Sequence, residues 1–231
     1  MKEYSFYLVG TPIGNLDDFS SRAADTLRSV DCVLAEDTRK THVLLDRYGI
    51  RTPVRSYHDH NKEKVTPGII REIADGKSFA LVADAGTPLI SDPGYYIARK
   101  LIEEGVAITA IPGACAITTA LVLSGLPPDR FTFYGYVPRK PGERERVIEE
   151  AAASPYTGIF YESPHRLLKT LEAFARILPE REIVVARELT KLYEEVLRGD
   201  AALLVEHFTQ APPRGEITIL VRGLGRKRGS E

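Results

Sequence analysis

Short unbroken apolar runs alternate along the first half of the chain with stretches in which apolar residues recur every three or four positions. The runs 5–9, 32–35, 79–83 and 106–111 are strand-length and carry no polar alternation, and 54–57 is a short strand between them. That is the pattern of strands buried on both faces. The segments between them predict helices. One follows Asp17 or Asp18 as cap, with Ala23, Leu27 and Val30 on its apolar face. Others span 41–48, closed by Gly49, then 66–75, ended by Gly76, and 94–104, ended by Gly105. Strict alternation of strand and helix predicts a parallel sheet covered on both sides. All five predicted strands stop in loops rich in Gly, Pro, Asp or His. In open α/β sheets ligands sit outside the carboxyl ends of the strands, so these loops are the first place to look for function.

After Pro127-Pro128 the texture changes. Segment 131–136 alternates like a strand, 138–142 is a basic Pro/Gly loop, and 143–153 is a charged helix. Strands are predicted at 157–161, 182–186 and 216–221, and helices at 164–178 and 201–208. Segment 189–197 fits either a helix or a strand edge. The mixture predicts three parts: residues 1–116 as an α/β domain with a parallel sheet, 117–225 as an α+β domain with a mixed sheet, and 226–231 as a basic, frayed tail. The stretch 106–128 carries no charge and is long enough to span a membrane. Pro112-Gly113 interrupts it, and a buried strand, a turn and a buried helix over 116–124 account for it better.

Composition adds exclusions. The 231 residues are 43% hydrophobic and 27% charged, which excludes a disordered chain. The net charge is −1, so no global pull toward nucleic acid exists. Residues 1–116 carry 14 basic and 16 acidic side chains, and 117–231 carry 17 and 16, so neither half is basic. Cys32 and Cys115 stand far apart without a CxxC, which predicts reduced, buried thiols, no zinc site and no disulfide framework. The opening residues do not read as a signal peptide. A cytoplasmic protein with no membrane segment and no metal is expected.

The usual nucleotide and hydrolase motifs are absent: no GxGxxG after a strand, no GxxxxGK[ST], no GxSxG and no HExxH. The densest loop, 84–94, holds two glycines and two prolines and can offer backbone groups to a ligand. Asp84 either accepts hydrogen bonds from a ribose or an amine, or caps a turn. Asp37 is an N-cap or, with Arg39, a cleft residue. His58 and His60 lie together at a strand end, without the further ligands that a metal needs. Glu162 and Arg166 flank a Pro-initiated helix with Ser163 as cap. Arg187-Glu188-Leu189-Thr190-Lys191 is an ion-pair cluster or a functional edge. The loop 138–144 puts cations on a mobile element that suits phosphates.

Seven segments occur in a telling order. They are Leu8-Val9-Gly10-Thr11-Pro12-Ile13-Gly14-Asn15-Leu16, Glu36-Asp37-Thr38-Arg39, His58-Asp59-His60-Asn61, Asp84-Ala85-Gly86-Thr87-Pro88, Tyr161-Glu162-Ser163-Pro164-His165-Arg166, Arg187-Glu188-Leu189-Thr190-Lys191 and Arg214-Gly215-Glu216. Together they resemble the ribosomal RNA small subunit methyltransferase I family, within the tetrapyrrole-methylase-like (class III) methyltransferases. The resemblance covers about residues 4–225. It implies two α/β domains with a cleft between them, a homodimer, and S-adenosylmethionine as methyl donor. The implied reaction is 2′-O-methylation of a cytidine ribose in the decoding region of small-subunit (16S) rRNA, on the RNA or the 30S subunit.

By motif, the resemblance places cofactor contacts at Pro12, Val82, Ala83, Asp84 and Thr87, and further ones at Cys115, Ala116, Glu162 and Leu189. It does not fix the base. Lys191 with a depressed pKa, Glu188, Asp37 and His60 are the candidates, because a ribose hydroxyl is a weak acid that needs a base or a positive field. Arg39, Arg139, Lys140, Arg144 and Arg166 are the candidates for RNA phosphates. The central loop reads Asp84-Ala85-Gly86 where many relatives have Gly-Asp-Pro, which points away from a corrin or porphyrin. Lys62 stands where the family pattern predicts an acid. The competing readings are a class III methyltransferase acting on a tetrapyrrole or a modified protein residue, and a non-catalytic RNA-binding protein.

Overall fold

The structure, a computed structural model, describes residues 4–225, so the expected tail at 226–231 lies outside the described residues. The described chain forms two compact units that divide between Cys115 and Ala116.

In the first unit, β1 (Phe6–Val9), β2 (Cys32–Ala35), β3 (Val54–Ser56), β4 (Phe79–Val82) and β5 (Ile108–Ile111) pair in the order β3-β2-β4-β1-β5. Every pairing is parallel. Successive side chains point to opposite faces of a strand, and here both faces are apolar. Val9, Val33, Ala35, Ala80 and Val82 pack with Ala23 and Leu27 of α1 (Ser21–Ser29) and Leu44 and Leu45 of α2 (Thr38–Arg47). Phe6, Leu34, Phe79 and Leu81 pack with Ile69 and Ile73 of α3 (Lys62–Ala74) and Ile97 and Leu101 of α4 (Tyr95–Glu103). This two-sided burial is why the central strands read as continuous apolar runs, whereas β3, at the sheet edge, leaves Arg55 and Ser56 exposed.

The second unit begins with α5 (Ala116–Ser124) and adds β6 (Phe131–Tyr136), α6 (Pro141–Ala153), β7 (Thr157–Glu162), α7 (Pro164–Ile177), β8 (Ile183–Arg187), β9 (Glu195–Gly199), α8 (Ala201–Gln210) and β10 (Ile217–Val221). Its sheet runs β6-β7-β10-β8-β9. Only β6 and β7 are parallel; β10 runs antiparallel to β7 and β8, and β8 antiparallel to β9. The core places Phe160, Val185, Ile217 and Ile219 against Leu167, Leu171 and Phe174 of α7 and Leu204 and Phe208 of α8. The charge-free stretch 106–128 resolves into β5, a turn and α5. Among the described residues no helix is long and apolar enough to cross a membrane.

Three local expectations change. The first helix is capped by Ser20, whose side chain accepts from the Ala23 N–H, while Asp17 and Asp18 form a separate 3₁₀ turn. The third helix starts at Lys62, four residues earlier than predicted, and carries Pro67 as its sixth residue, where the missing N–H leaves the Glu63 carbonyl without its helical donor. Segment 189–197 is neither a helix nor one strand: a left-handed turn with Glu188 at φ 51° and Thr190 at φ 65° precedes β9. Replacing Ser20 by Ala should lower the unfolding free energy by about 1 kcal/mol. Asp17→Ala should cost clearly less, and chemical denaturation of the two variants distinguishes the caps.

Candidate active-site loops

On both flanks of β4 the neighbouring strand sends its following helix to the opposite face, so the C-terminal loops diverge around β4. Backbone contacts nonetheless stitch these loops together in sheet order. Gly10 N–H donates to the Ile111 carbonyl at 3.0 Å. Gly10 and Gly113 pass so closely that a Cβ on Gly10 would lie 2.8 Å from the Gly113 backbone, and the reverse substitution meets the same wall. Thr11 and Gly86 exchange backbone hydrogen bonds of 2.9 and 3.1 Å. The Thr11 hydroxyl donates toward the Ala83 and Gly86 carbonyls at 3.2 and 3.3 Å, and Thr87 Oγ1 donates to the Ala114 carbonyl at 3.3 Å. Next to β4, the Asp37 N–H donates to Asp84 Oδ1 at 3.0 Å.

These contacts bring several sequence-predicted residues to one edge of the first unit. Pro12 follows Thr11 and is buried; Val82 ends β4, and Ala83, Asp84 and Thr87 follow it. Gly86 and Gly94 take positive φ, and so do Leu89 and Ser91 between them. Lys40, which sequence reasoning passed over, donates from Nζ to Asp84 Oδ2 at 2.7 Å. Its signal was its place in the first turn after the Asp37 cap.

Asp37 is the N-cap of α2 and accepts from the Arg39 N–H at 2.9 Å. Arg39 also clasps it from Nε and Nη2 at 3.0 and 2.8 Å. The guanidinium beside it holds the Asp37 carboxyl down at about 2, which makes Asp37 a poor proton acceptor at neutral pH. Glu36 moves the other way. Burial, then Asp84 and Asp59, push its carboxyl up. His60 is exposed, with its ring 5.9 Å from that of His58. Among the described residues no group of three or more His, Cys, Asp or Glu could hold a metal.

The other candidates lie at the division and in the second unit. Cys115 and Ala116 meet at the division, with Ala116 opening α5. Leu189 is buried in the left-handed turn. Glu162 ends β7 with its side chain only 1% exposed. Its carboxylate accepts from the Ser163 N–H at 2.7 Å and from Thr170 Oγ1 at 2.6 Å, and pairs with Arg166. Arg166 further donates to the Val137 carbonyl and to Ser163 Oγ. The expectation that Arg166 meets phosphate is therefore set aside: its guanidinium is spent on satisfying a buried carboxylate. Arg139 and Lys140 are exposed, and Lys140 pairs with Glu143 at 3.1 Å. Arg144 is half-buried, and its Nε has no hydrogen-bond partner among the described residues.

Lys191 requires a correction. Its Nζ donates to Glu188 Oε1 at 2.9 Å and to Glu216 Oε2 at 3.0 Å. Burial alone would pull its pKa down, but the two carboxylates outweigh burial and raise it. A depressed lysine is therefore overturned: Lys191 is a fixed cation. Burial opposes the Glu188 charge in the same way, yet Lys191 and the Glu216 N–H, 3.1 Å from Oε1, hold its carboxyl below the ordinary value. Glu216 lies outside the predicted set. It precedes β10, and only the β10–β8 register, with Ile217 opposite Arg187, brings it to Glu188.

The comparisons with known proteins decide the family. The family model for Tetrapyrrole (Corrin/Porphyrin) Methylases matches residues 5–204. The chain belongs to the tetrapyrrole methylase family. Ribosomal RNA small subunit methyltransferase I of Halalkalibacterium halodurans is 47% identical over 96% of this chain and 77% of its own length. The protein of the same name from Thermotoga maritima is 43% identical over 94% of this chain and 97% of its own length. A solved structure of the methyltransferase CobJ superposes with a TM-score of 0.70 at 18% identity, covering 99% of this chain and 98% of that one, which is a likeness of fold.

As a tetrapyrrole methylase family member the protein is an S-adenosylmethionine-dependent methyltransferase. The rim of the first unit fits such a cofactor. Gly10 and Gly113 are spent on each other and Gly86 lies against Ile13, so what this edge offers a polar cofactor is backbone groups and the Asp84 carboxylate, which accepts from the Asp37 N–H and from Lys40 Nζ.

Two outcomes follow from this geometry. Gly10→Ala should cost about 2 kcal/mol by overpacking the backbone contact, and calorimetric titration should show weaker S-adenosylmethionine binding. The Lys191 network sets a pH window. Lys191 is raised above 10.5, so its contribution is complete below 10.5 and is lost as pH rises through the higher folded value. Glu188 is lowered below 4.5, so its contribution is complete above 4.5 and is lost as pH falls through the lower folded value. Lys191→Met should abolish the alkaline limb and reduce the acid limb in melting curves recorded against pH.

Proposed function

We propose that this protein transfers a methyl group from S-adenosylmethionine to the 2′-hydroxyl of a cytidine in the decoding region of small-subunit rRNA. It acts as a cytoplasmic homodimer, on the RNA or on the 30S subunit. The observation that carries this reading is the near full-length likeness to proteins named ribosomal RNA small subunit methyltransferase I, at 47% and 43% identity. The seven sequence segments support it, since they supply the structural rim of the first unit and the charged turn of the second.

When bound, the cofactor would supply a methyl carbon on a sulfonium: the C–S bond breaks as the ribose O–C bond forms, the sulfur departs as a neutral thioether, and the hydroxyl proton passes to solvent water. The residues of Pro12, Val82, Ala83, Asp84 and Thr87 hold the donor through backbone groups and the Asp84 carboxylate. Cys115, Ala116, Glu162 and Leu189 are the further cofactor positions by motif; Glu162 serves by fixing the β7–α7 corner, because its oxygens are engaged internally. Lys191 keeps its charge and stabilises negative charge growing on the ribose oxygen, as a preorganised cation in a partly desolvated place does. Glu188 orients Nζ. Asp37, with its pKa near 2, orders the α2 N-terminus rather than accepting the proton. Arg39, Arg139, Lys140 and Arg144 remain the candidates for phosphate.

The test is transfer of radiolabelled methyl to small subunits from a strain lacking the gene, with the site mapped by primer extension at low nucleotide concentration. Label on one ribose 2′-oxygen in the decoding region is expected. Label on neither subunits nor free rRNA, with S-adenosylmethionine still bound, overturns the reading. Lys191→Arg keeps the charge and should retain activity within about tenfold, whereas Lys191→Met should lose about a hundredfold in kcat. A kcat that climbs with pH through the neutral range in the wild type and loses that climb in Lys191→Arg would instead make Lys191 a base.

A further inference from the structure

The second sheet carries an aromatic cluster that methyl transfer does not use. Tyr134 and Phe160 turn toward the helical face, where their rings stack at 4.8 Å and Phe160 meets Phe174 of α7. Phe133, Tyr136 and Tyr161 turn the other way. The Phe133 and Tyr136 ring centroids lie 4.9 and 5.5 Å from that of Tyr161, both edge-to-face. Tyr136 is 58% exposed and sits at the end of β6, the edge strand of its sheet.

A bulge creates this placement. Phe133 pairs with Ile159 and Tyr136 with Tyr161, so β6 spends three steps where β7 spends two. Gly135 supplies the turn with φ +73°. Alternation along a regular strand would send position 136 to the helical face; the extra residue returns it to the face of Phe133. The end of the strand is then pinned. Val137 N–H donates to the Tyr161 carbonyl at 3.0 Å, and Arg166 Nη1 donates to the Val137 carbonyl at 2.9 Å. The aromatic residue is thus held on a rigid support.

The loop that follows it is basic. From 137 to 142 the chain carries Arg139 and Lys140 and no carboxylate, and Lys140 pairs with Glu143 just beyond. Among the described residues no carboxylate pairs with Arg139. An exposed aromatic ring on a sheet, with two partly buried rings against it and cations in the loop that follows, is the chemistry that holds unpaired nucleotides: bases stack on rings and phosphates meet cations. An isologous contact between two copies of this face would bring the same cations together.

We propose that Tyr136 is a base-stacking residue, and that Phe133, Tyr161 and Tyr136 form a platform for an unpaired nucleotide of the RNA substrate, with Arg139 and Lys140 on its phosphates. This rests on the rRNA reading above and adds a positioning residue to it. Stacking orients the RNA and takes no part in the bond changes.

The test uses the full chain and a short single-stranded oligoribonucleotide carrying 2-aminopurine, whose fluorescence is quenched by stacking. Wild type should quench the probe. Tyr136→Ala should lose the quench, weaken probe binding about tenfold to a hundredfold, and raise KM for small subunits by a similar factor with kcat little changed. Tyr136→Phe should keep wild-type behaviour, and both variants should bind S-adenosylmethionine and melt like the wild type. Tyr136→Ala binding like wild type, or Tyr136→Phe as weak as Tyr136→Ala, overturns the proposal. So does sedimentation showing that Tyr136→Ala only dissociates a dimer. A wild type that quenches the probe but methylates no ribosomal RNA defeats the rRNA reading alone. One that methylates subunits without quenching the probe defeats the platform alone.

Discussion

Gly10 and Gly113 meet where no Cβ fits on either side. That contact joins the loop after β1 to the loop after β5. From there the same kind of linkage continues across the sheet: Thr11 to Gly86 joins β1 to β4, and Asp37 to Asp84 joins β4 to β2. Helices leave β4 and its neighbours on opposite faces, which would otherwise let their loops splay. The stitching gives four loops one fixed edge. Most of it is backbone to backbone, so it depends on small residues and on threonine hydroxyls that can return to a carbonyl. The Asp84 carboxylate then stands at a set place, held by an amide on one oxygen and by Lys40 on the other.

The second unit solves its problem with charge rather than backbone contact. Glu188 adopts a left-handed conformation, and Gly215 provides the space its side chain occupies; a Cβ there would fall 1.9 Å from Glu188 Oε1. In return Glu188 binds both Lys191 and the Glu216 N–H. The Arg187–Lys191 and Arg214–Glu216 segments are therefore one structure made of two sequence motifs. Partly buried ion pairs of this kind contribute modestly to stability, because desolvation offsets the attraction. Their effect here is to keep Lys191 charged and to fix the direction of its Nζ. Glu162 and Arg166 follow the same logic deeper in the unit, where both partners are consumed in holding the β7–α7 corner.

Much of this was legible in the chain. Apolar runs without alternation marked four of the five parallel strands, since burial on both faces leaves no room for polar residues; β3, an exposed edge strand, keeps Arg55 and Ser56. Turn residues marked the loops that carry the candidate residues, and the order of seven segments pointed to the family that the comparisons establish. The individual chemistry was harder to read. Ser20 and Asp17 are both good caps in isolation, and only the helix direction selects Ser20. Tyr136 looks like one more member of an alternating strand, because a bulge leaves no mark beyond a glycine.

The sequence by itself determined where strands and helices stand, that the first sheet is parallel, and which loops gather polar and conformationally special residues. These follow from local periodicity and from the steric limits of Gly and Pro, which act over a few residues. The tertiary structure decided the rest. Lys191 is 25 residues from Glu216 in sequence yet 3.0 Å away in space, and that proximity reverses the direction of its pKa. Arg166 changes from a phosphate candidate to an internal partner once Val137 and Glu162 surround it. Electrostatics and packing depend on distances between segments that meet only after folding, and a linear pattern does not contain those distances.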